Sequence, residues 1–131
     1  MISTSAYLRI VRASAWYDLV VTAGFMTPWT VALVLSGLNA LAQALGVAGA
    51  FPPFAVEHVL VANLLGSLVT VWAVLRLRER RVVYGRYDAG ARLLFAVWQL
   101  HALLHGGNPL IWGFFMVEVG FGMVQALPVR K

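Results

Sequence analysis

The amino-acid sequence predicts an all-α integral membrane protein, a four-helix bundle with an additional amphipathic helix between its first and second spans. Hydrophobic residues make up 61% of the 131 residues and charged residues only 11%, whereas an average soluble domain is about 45–50% apolar and about 25% charged. The basic residues are grouped: Lys and Arg are missing between Ala13 and Leu75 and again between Leu93 and Val129. These intervals leave room for spans, because about 20 apolar residues cross about 30 Å of hydrocarbon.

Four segments reach that length or come close to it. The predicted spans are about 6–26, 54–75, 88–105 and 109–127, within one domain over residues 1–131. In the first span the strictly apolar part starts after Arg12, and the side chains of Arg9 and Arg12 can extend to the headgroups. We interpret this span as a retained helix, since no small-residue cleavage site follows a short apolar core.

The segment 28–45 lies between the first two predicted spans. Thr27 and Pro28 have the N-cap and first-turn pattern of a helix, and Gly46 suits its C-terminal stop. Three polar residues share one face of that helix: Ser36, Asn39 and Gln43. The pattern indicates an amphipathic helix in the outer interface or packed partly into the bundle. The alternative is one long first helix, kinked at Pro28 and leaving the membrane near Leu38.

The placement of the basic residues predicts the topology. A fifth span at 28–45 would separate the Arg76–Arg86 cluster from Arg9 and Arg12, against the positive-inside rule. With four spans all ten basic residues lie on one side, so both termini and a loop at 76–87 are predicted to be cytoplasmic. That loop is predicted to anchor the topology and to contact anionic lipid, with a cytoplasmic partner as the alternative. The formal charge of +5 therefore does not indicate nucleic acid.

Several ionisable residues are predicted at membrane depth, where such residues are costly and are functional candidates. Near the cytoplasmic side these are Asp18, Arg76, Asp88 and Arg92. Asp88 and Arg92 are four residues apart and can pair, and Asp18 is placed where Arg92 or Arg76 can reach it. We interpret the group as structural ion pairs that hold three helices together, with a proton or substrate path as the alternative.

Glu118 lies close to the middle of the last predicted span. A carboxylate there has to be protonated or hydrogen-bonded, because an isolated charge is costly in apolar surroundings. Thr22, Asn63 and Gln99 are predicted at a similar depth on the other helices. Glu118 is either a polar latch that fixes helix packing or a carboxylate that binds a ligand or carries a proton. On the second interpretation the candidate site residues are Glu118, Gln99, Asn63, Thr22 and Asp18.

Three histidines are predicted near the outer face: His58, His101 and His105. His101 and His105 are four residues apart, a spacing that can hold a metal or haem, and Glu57 or His58 supplies a third ligand if the second and third helices adjoin. Interfacial histidines near headgroups are the other interpretation. Cysteine is absent, which excludes disulfides and thiolate chemistry. The common nucleophile, P-loop, zinc and dinucleotide motifs are missing, so catalysis has no support and the cofactor stays unknown.

Several of these features together match one family pattern. They are Thr27-Pro28-Trp29 at the end of the first helix, His58 and Trp72…Arg76 at the two ends of the second span, and Asp88…Arg92-Leu93-Leu94-Phe95 opening the third. With them the chain resembles the DoxX-like group of small bacterial four-helix membrane proteins, which includes BphX-like proteins. The resemblance implies the fold and a bacterial inner-membrane location. Some DoxX-related proteins are associated with quinone-linked oxidoreductases and others with membrane redox complexes.

Three functions follow as hypotheses. The leading one is a non-enzymatic module that binds a small hydrophobic molecule or is the membrane subunit of a larger complex, with a pocket around Glu118, Gln99, Asn63 and Thr22. The second is a redox subunit that holds haem, metal or quinone, using the three histidines. The third is a small proton-coupled transporter that uses Asp18 and Glu118 and acts as a homo-oligomer. Membrane lipid is an expected partner in all three.

Overall fold

The computed structural model describes residues 1–130, and most of them are helical. The helices are α1 (Thr4–Thr22), α2 (Pro28–Ala44), α3 (Val56–Arg78), α4 (Val82–Leu104) and α5 (Ile111–Ala126). A 3-10 turn, Ala23–Phe25, follows α1. Two strands of two residues each, β1 (Ile2–Ser3) and β2 (Val129–Arg130), form a parallel pair near the chain ends. The prediction of an all-α protein is confirmed.

The chain divides into two compact units. Unit 1 contains residues 1–14 and the chain from Arg76 onwards, and unit 2 contains Ala15–Leu75. Helices α4 and α5 and both strands belong to unit 1, whereas α2 belongs to unit 2. Helices α1 and α3 are each divided between the two units.

The connection between α3 and α4 is shorter than the predicted loop at 76–87. Helix α3 continues to Arg78 and α4 begins at Val82, which leaves three residues between them. Arg and Glu are good helix formers, and this segment contains no proline. The charges at 76–87 therefore do not mark the point where the helical backbone ends.

Helix α2 begins and ends at its local sequence signals. The Thr27 side chain accepts a hydrogen bond from the Thr30 backbone N–H, and Pro28 is the first helical residue. At the other end Gly46 has a φ of 65°, and the N–H groups of Gly46 and Val47 bond to Gln43 and Ala42 carbonyls. This is a Schellman stop, in which glycine tolerates the left-handed backbone. The segment Thr4–Phe25 and α2 are bent by 110° relative to each other, so the two do not form one continuous helix.

Helix α3 is long and apolar enough to cross a membrane. It has 23 residues, and its most apolar window has a mean hydropathy of 1.9. The bent pair formed by Thr4–Phe25 and Pro28–Ala44 passes the same test only when counted as one span, and α5 is apolar but has 16 residues. By length and composition, residues 1–130 therefore contain one candidate span, or two with the bent pair.

Several charged side chains are buried, and several large apolar side chains are exposed. The buried polar and charged residues are Ser14, Asp18, Arg76, Asp88, Arg92, Glu118 and Gln125. On α3, in contrast, Leu60, Leu64 and Leu68 are 57%, 64% and 67% exposed. In water-soluble proteins Arg, Asp and Glu are almost never fully buried unless they are paired. The buried charges are therefore expected to be paired, and apolar side chains such as Val31 and Leu35 are buried as well.

Candidate functional site

Six buried side chains of unit 1 form what we call the interior polar cluster. They are Ser14 from α1, Arg76 from α3, Asp88 and Arg92 from α4, and Glu118 and Gln125 from α5. Each is at most 6% exposed. The cluster therefore brings together four helices of unit 1 through hydrogen-bonding and charged groups.

Asp88 is the anion shared by both arginines of the cluster. Its Oδ2 atom lies 2.6 Å from Arg76 Nη1 and 3.1 Å from Arg92 Nε. The Ser14 hydroxyl is 3.3 Å from the same oxygen. The opposite charges and hydrogen bonds of these buried groups offset the cost of removing them from water. The predicted pairing of Asp88 with Arg92 is confirmed, and Arg76 joins it.

Ser14 is the neutral hub of the cluster. Its Oγ accepts hydrogen bonds from Arg76 Nη1 at 3.1 Å and from Gln125 Nε2 at 2.7 Å. The single hydroxyl proton lies within reach of the Val11 carbonyl at 2.9 Å and the Asp88 carboxylate at 3.3 Å. A hydroxyl has two acceptor positions and one donor, so all of its capacity is used. A residue without this hydroxyl would leave buried donors unsatisfied.

Glu118 is paired inside the cluster rather than held in a separate pocket. Its Oε2 lies 2.7 Å from Arg92 Nη1, and the Arg92 guanidinium lies 5.0 Å from the centre of the Phe121 ring. Gly122, one turn further along α5, lies against the Arg92 stem, and a Cβ there would make an ordinary van der Waals contact with Arg92 Cβ at 3.5 Å. The four charged members of the cluster are two arginines and two carboxylates, so their formal charges cancel.

Other residues predicted beside Glu118 make different contacts. Asn63 Nδ2 donates to the Phe25 carbonyl at 2.8 Å in unit 2. The Thr22 hydroxyl donates to the Asp18 carbonyl one turn earlier on α1. Gln99 has a buried Oε1 without a hydrogen-bond partner among the described residues. Asp18, predicted as an ion-pair residue and a proton carrier, is buried in unit 2.

Sequence reasoning missed the role of Ser14 and did not expect Arg92 to reach Glu118. An arginine side chain is long and can reach a group more than one helical turn from its own Cα. Depths assigned from backbone positions alone therefore separate Arg92 from Glu118. A usable signal was present: Glu118 and Gln125 are seven residues apart, which places both on one face of α5.

A second set of contacts ties the end of α5 to α1 and α4. The Tyr7 hydroxyl and Arg86 Nη1 donate to the Gln125 carbonyl at 2.9 and 3.0 Å, and Arg86 Nη2 donates to the Leu127 carbonyl at 2.7 Å. These carbonyls lie at a helix C-terminus, where they lack partners within the helix and attract cations. Gly85 allows this approach, because a Cβ there would be 2.6 Å from the Tyr7 hydroxyl.

The predicted histidine site is only partly assembled. The His101 and His105 rings are stacked with their centres 4.1 Å apart, and Trp98 meets His101 edge-on at 6.2 Å. His58 lies in unit 2 and packs edge-on against Phe54 at 6.1 Å. Within residues 1–130 no three His, Asp or Glu side chains come together in a way that could hold a metal ion. The metal interpretation therefore has no support from the geometry.

Unit 2 has its own close contact at the bend between α1 and α2. A Cβ on Gly66 would lie 2.7 Å from the Phe25 carbonyl carbon, and Asn63, one turn earlier on α3, donates to the Phe25 oxygen. Phe25 is the last residue of the 3-10 turn, so its carbonyl has no helical continuation to bond with. Asn63 and Gly66 together fit α3 to this bend.

Comparisons with protein-family models, with curated proteins and with solved structures find no match to this chain. The arrangement of its side chains is therefore the basis for a functional proposal.

Proposed function

We propose that this chain is a multi-pass protein of the bacterial inner membrane and acts there as a non-enzymatic module. Helices α1, α3, α4 and α5 are its four spans, and α2 is the additional amphipathic helix. As such a module it binds a small hydrophobic molecule or serves as the membrane subunit of a larger complex. The observation that carries the proposal is the apolar exposed surface of α3, together with the charged interior of unit 1.

The surface of α3 supports a lipid environment. Leucines and valines are exposed around much of the helix: Leu60 57%, Val61 63%, Leu64 64%, Leu65 51%, Leu68 67% and Val71 67%. Burying a large aliphatic side chain is worth about 1.5–3 kcal/mol relative to water, so each of these half-exposed residues costs roughly 1–2 kcal/mol in water. Lipid tails remove that cost without a protein partner.

The interior polar cluster supports the same environment. Ionisable residues within membrane-spanning segments face the interior of the bundle and pair with one another, as Arg76 and Asp88 do at 2.6 Å and Arg92 and Glu118 do at 2.7 Å. Because these charges form ion pairs with one another, the cluster holds helices together and does not present a reactive group. This is why we favour a structural role for Glu118 over a ligand-binding or proton-carrying one.

The two chain ends support a topology with both termini on one side. Ile2 pairs with Val129 and Ser3 with Arg130, and the Thr4 hydroxyl donates to the Arg130 carbonyl at 2.8 Å. Ends joined in this way have to lie at the same face of a membrane. The positive-inside rule then assigns that face to the cytoplasm, because the basic residues are near the ends and the α3–α4 connection.

Helix lengths are compatible with four spans. At 1.5 Å per residue, α3 and α4 with 23 residues each are about 35 Å long, and α1 with 19 residues is about 29 Å. Helix α5, with 16 residues, is about 24 Å long and requires local thinning of the bilayer or help from its flanking residues. The DoxX-like resemblance and the redox and transporter hypotheses stay predictions from the sequence.

Single-cysteine labelling tests the topology without background, because the chain has no cysteine of its own. Ala50→Cys and His105→Cys, at exposed outer positions, should react with a membrane-impermeant maleimide in intact bacterial cells. Ser5→Cys and Arg80→Cys should react only after permeabilisation. Equal labelling of Arg80→Cys and Ala50→Cys in intact cells, or release of the protein by alkaline carbonate, would contradict the proposal.

A further inference from the structure

Unit 2 contains an open groove that the interior polar cluster does not use. This α2 groove lies between α2 and the segment from Phe51 to Val59, and it encloses about 530 Å³. Small-molecule sites in proteins are commonly about 300–1,000 Å³. The volume falls within that range and is smaller than the two acyl chains of a phospholipid, so the groove suits a molecule with one chain.

Asn39 holds the outer wall of the α2 groove in place. Its Nδ2 donates to the Phe51 carbonyl at 3.1 Å, and its Oδ1 accepts from the Phe51 N–H at 2.7 Å. The side chain thus pairs with the backbone much as a neighbouring strand would. With the Schellman stop at Gly46, it fixes the path of the chain that returns along α2. A groove built before the ligand arrives lowers the entropy cost of binding.

The lining of the α2 groove is apolar with a short row of neutral polar groups. Val31, Leu35 and Phe54 provide apolar surface, and Ser36 and Gln43 lie on the same wall as Asn39. The side chains of Ser36 and Gln43 are exposed and, among residues 1–130, have no hydrogen bond to another residue. The residues that line the groove are all uncharged.

We propose that the α2 groove binds a neutral single-chain amphiphile of the monoacylglycerol type. The acyl chain lies against Val31, Leu35 and Phe54, and Ser36 and Gln43 hydrogen-bond the hydroxyl head. A fatty-acid anion is less suited than a neutral head, since the lining offers its carboxylate no cationic partner. The inference rests on the proposed membrane location, because the ligand enters from the lipid phase.

Photolabelling in phosphatidylcholine nanodiscs tests the site. The probe is a monoacylglycerol with a diazirine in its acyl chain, and the labelled peptides are mapped by mass spectrometry. We expect labels on α2 and on residues 51–59, with competition by monooleoylglycerol at least tenfold stronger than by oleate. Ala40→Trp, which fills the groove from an exposed lining position, should lower labelling at least tenfold. Ala44→Trp is the matched control on the same helix, outside the lining, and should keep wild-type labelling.

The polar row is tested separately with the double variant Ser36→Ala/Gln43→Leu. Two lost hydrogen bonds should weaken competition by monooleoylglycerol about tenfold, while the apolar part of the groove is unchanged. Oleate competing as well as monooleoylglycerol, or unchanged labelling of Ala40→Trp, would overturn the inference.

Failure of the groove and failure of the membrane location give different results. A chain that resists carbonate extraction and enters nanodiscs but is not labelled on α2 overturns the groove alone. A chain that carbonate releases and that does not enter nanodiscs overturns both proposals, because the ligand then has no route through lipid.

Discussion

The two units of this protein solve the same packing problem with different chemistry. Unit 1 joins its helices through buried charges, with Asp88 shared by Arg76 and Arg92 and with Glu118 on the second arginine. Unit 2 uses neutral side-chain amides on backbone groups, Asn39 on Phe51 and Asn63 on Phe25. Buried ion pairs hold their partners strongly, but removing one partner leaves an uncompensated buried charge that destabilises the fold. A hydrogen bond from a neutral amide contributes less to stability, and its loss costs less free energy of unfolding. The two units should therefore respond differently to substitution.

The largest effect is expected for Asp88→Ala in unit 1. It leaves two buried arginines with Glu118 as the remaining carboxylate of the cluster, and breaking a buried pair costs about 3–5 kcal/mol. We expect little folded protein, or a large fall of the unfolding midpoint in detergent, measured by fluorescence-detected size exclusion after heating. The control is Glu79→Gln, at an exposed position between α3 and α4. If Asp88→Ala and the control unfold at the same midpoint, the interior polar cluster does not stabilise the fold.

The next largest effect is expected for Gly66→Ala in unit 2. The added Cβ would meet the Phe25 backbone at 2.7–2.9 Å, and backbone cannot move aside as a side chain can. Overpacking of this kind costs about 2–3 kcal/mol. Gly37→Ala is the matched control, since nothing lies within 4 Å of its Cβ, and helix propensity alone should then stabilise α2 by up to about 1 kcal/mol. Both are measured as unfolding midpoints, and equal shifts would show that α3 does not pack on the bend.

A smaller effect is expected for Glu118→Gln. The amide keeps an acceptor for Arg92, which also retains Asp88, so the loss should be about 1.5 kcal/mol. If Glu118 only stabilises the fold, any change in the ligand content or complex assembly of this variant should be explained by its lower stability alone. Native mass spectrometry on gently extracted protein measures both. Loss of a bound molecule at unchanged stability would instead restore the predicted pocket at Glu118.

The smallest effect is expected for Asn39→Ala. It frees one N–H and one C=O of Phe51 at a half-buried position, which should cost about 1 kcal/mol because water can replace part of the bonding. Limited proteolysis should then cut the segment between Gly46 and Phe54 faster than in the wild type. Ser36→Ala removes a side chain without a protein partner on the same wall and should leave the cutting rate unchanged. Equal rates for the two variants would mean that Asn39 does not hold the wall.

Local signals in the sequence predicted local structure well. Thr27, Pro28 and Gly46 define the ends of α2 through contacts with residues up to four positions away, and Asp88 pairs with Arg92 one turn along α4. The connection predicted at 76–87 is shorter in the structure, where α3 ends at Arg78 and α4 begins at Val82. Charge shows where a helix leaves an apolar environment, whereas the backbone continues until its hydrogen bonding is interrupted.

Contacts between distant residues could not be predicted in the same way. Ser14 and Gln125 are separated by 111 residues, and Arg92 and Glu118 by 26. Their pairing depends on the order and rotation of the helices, which hydropathy leaves open. Asn39 shows the same limit: its spacing with Ser36 and Gln43 predicted a polar face, but its partner is the Phe51 backbone.

The most direct test of a lipid-facing surface around a charged interior is a nitroxide spin label on α3. Leu64→Cys places the label at an exposed apolar position, and Ala73→Cys places it at a fully buried position of the same helix. In nanodiscs the Leu64 label should collide freely with oxygen, which concentrates in hydrocarbon, and little with a water-soluble nickel chelate. The Ala73 label should be shielded from both. A Leu64 label that collides mainly with the nickel chelate, or is as shielded as the Ala73 label, would contradict a surface that faces lipid.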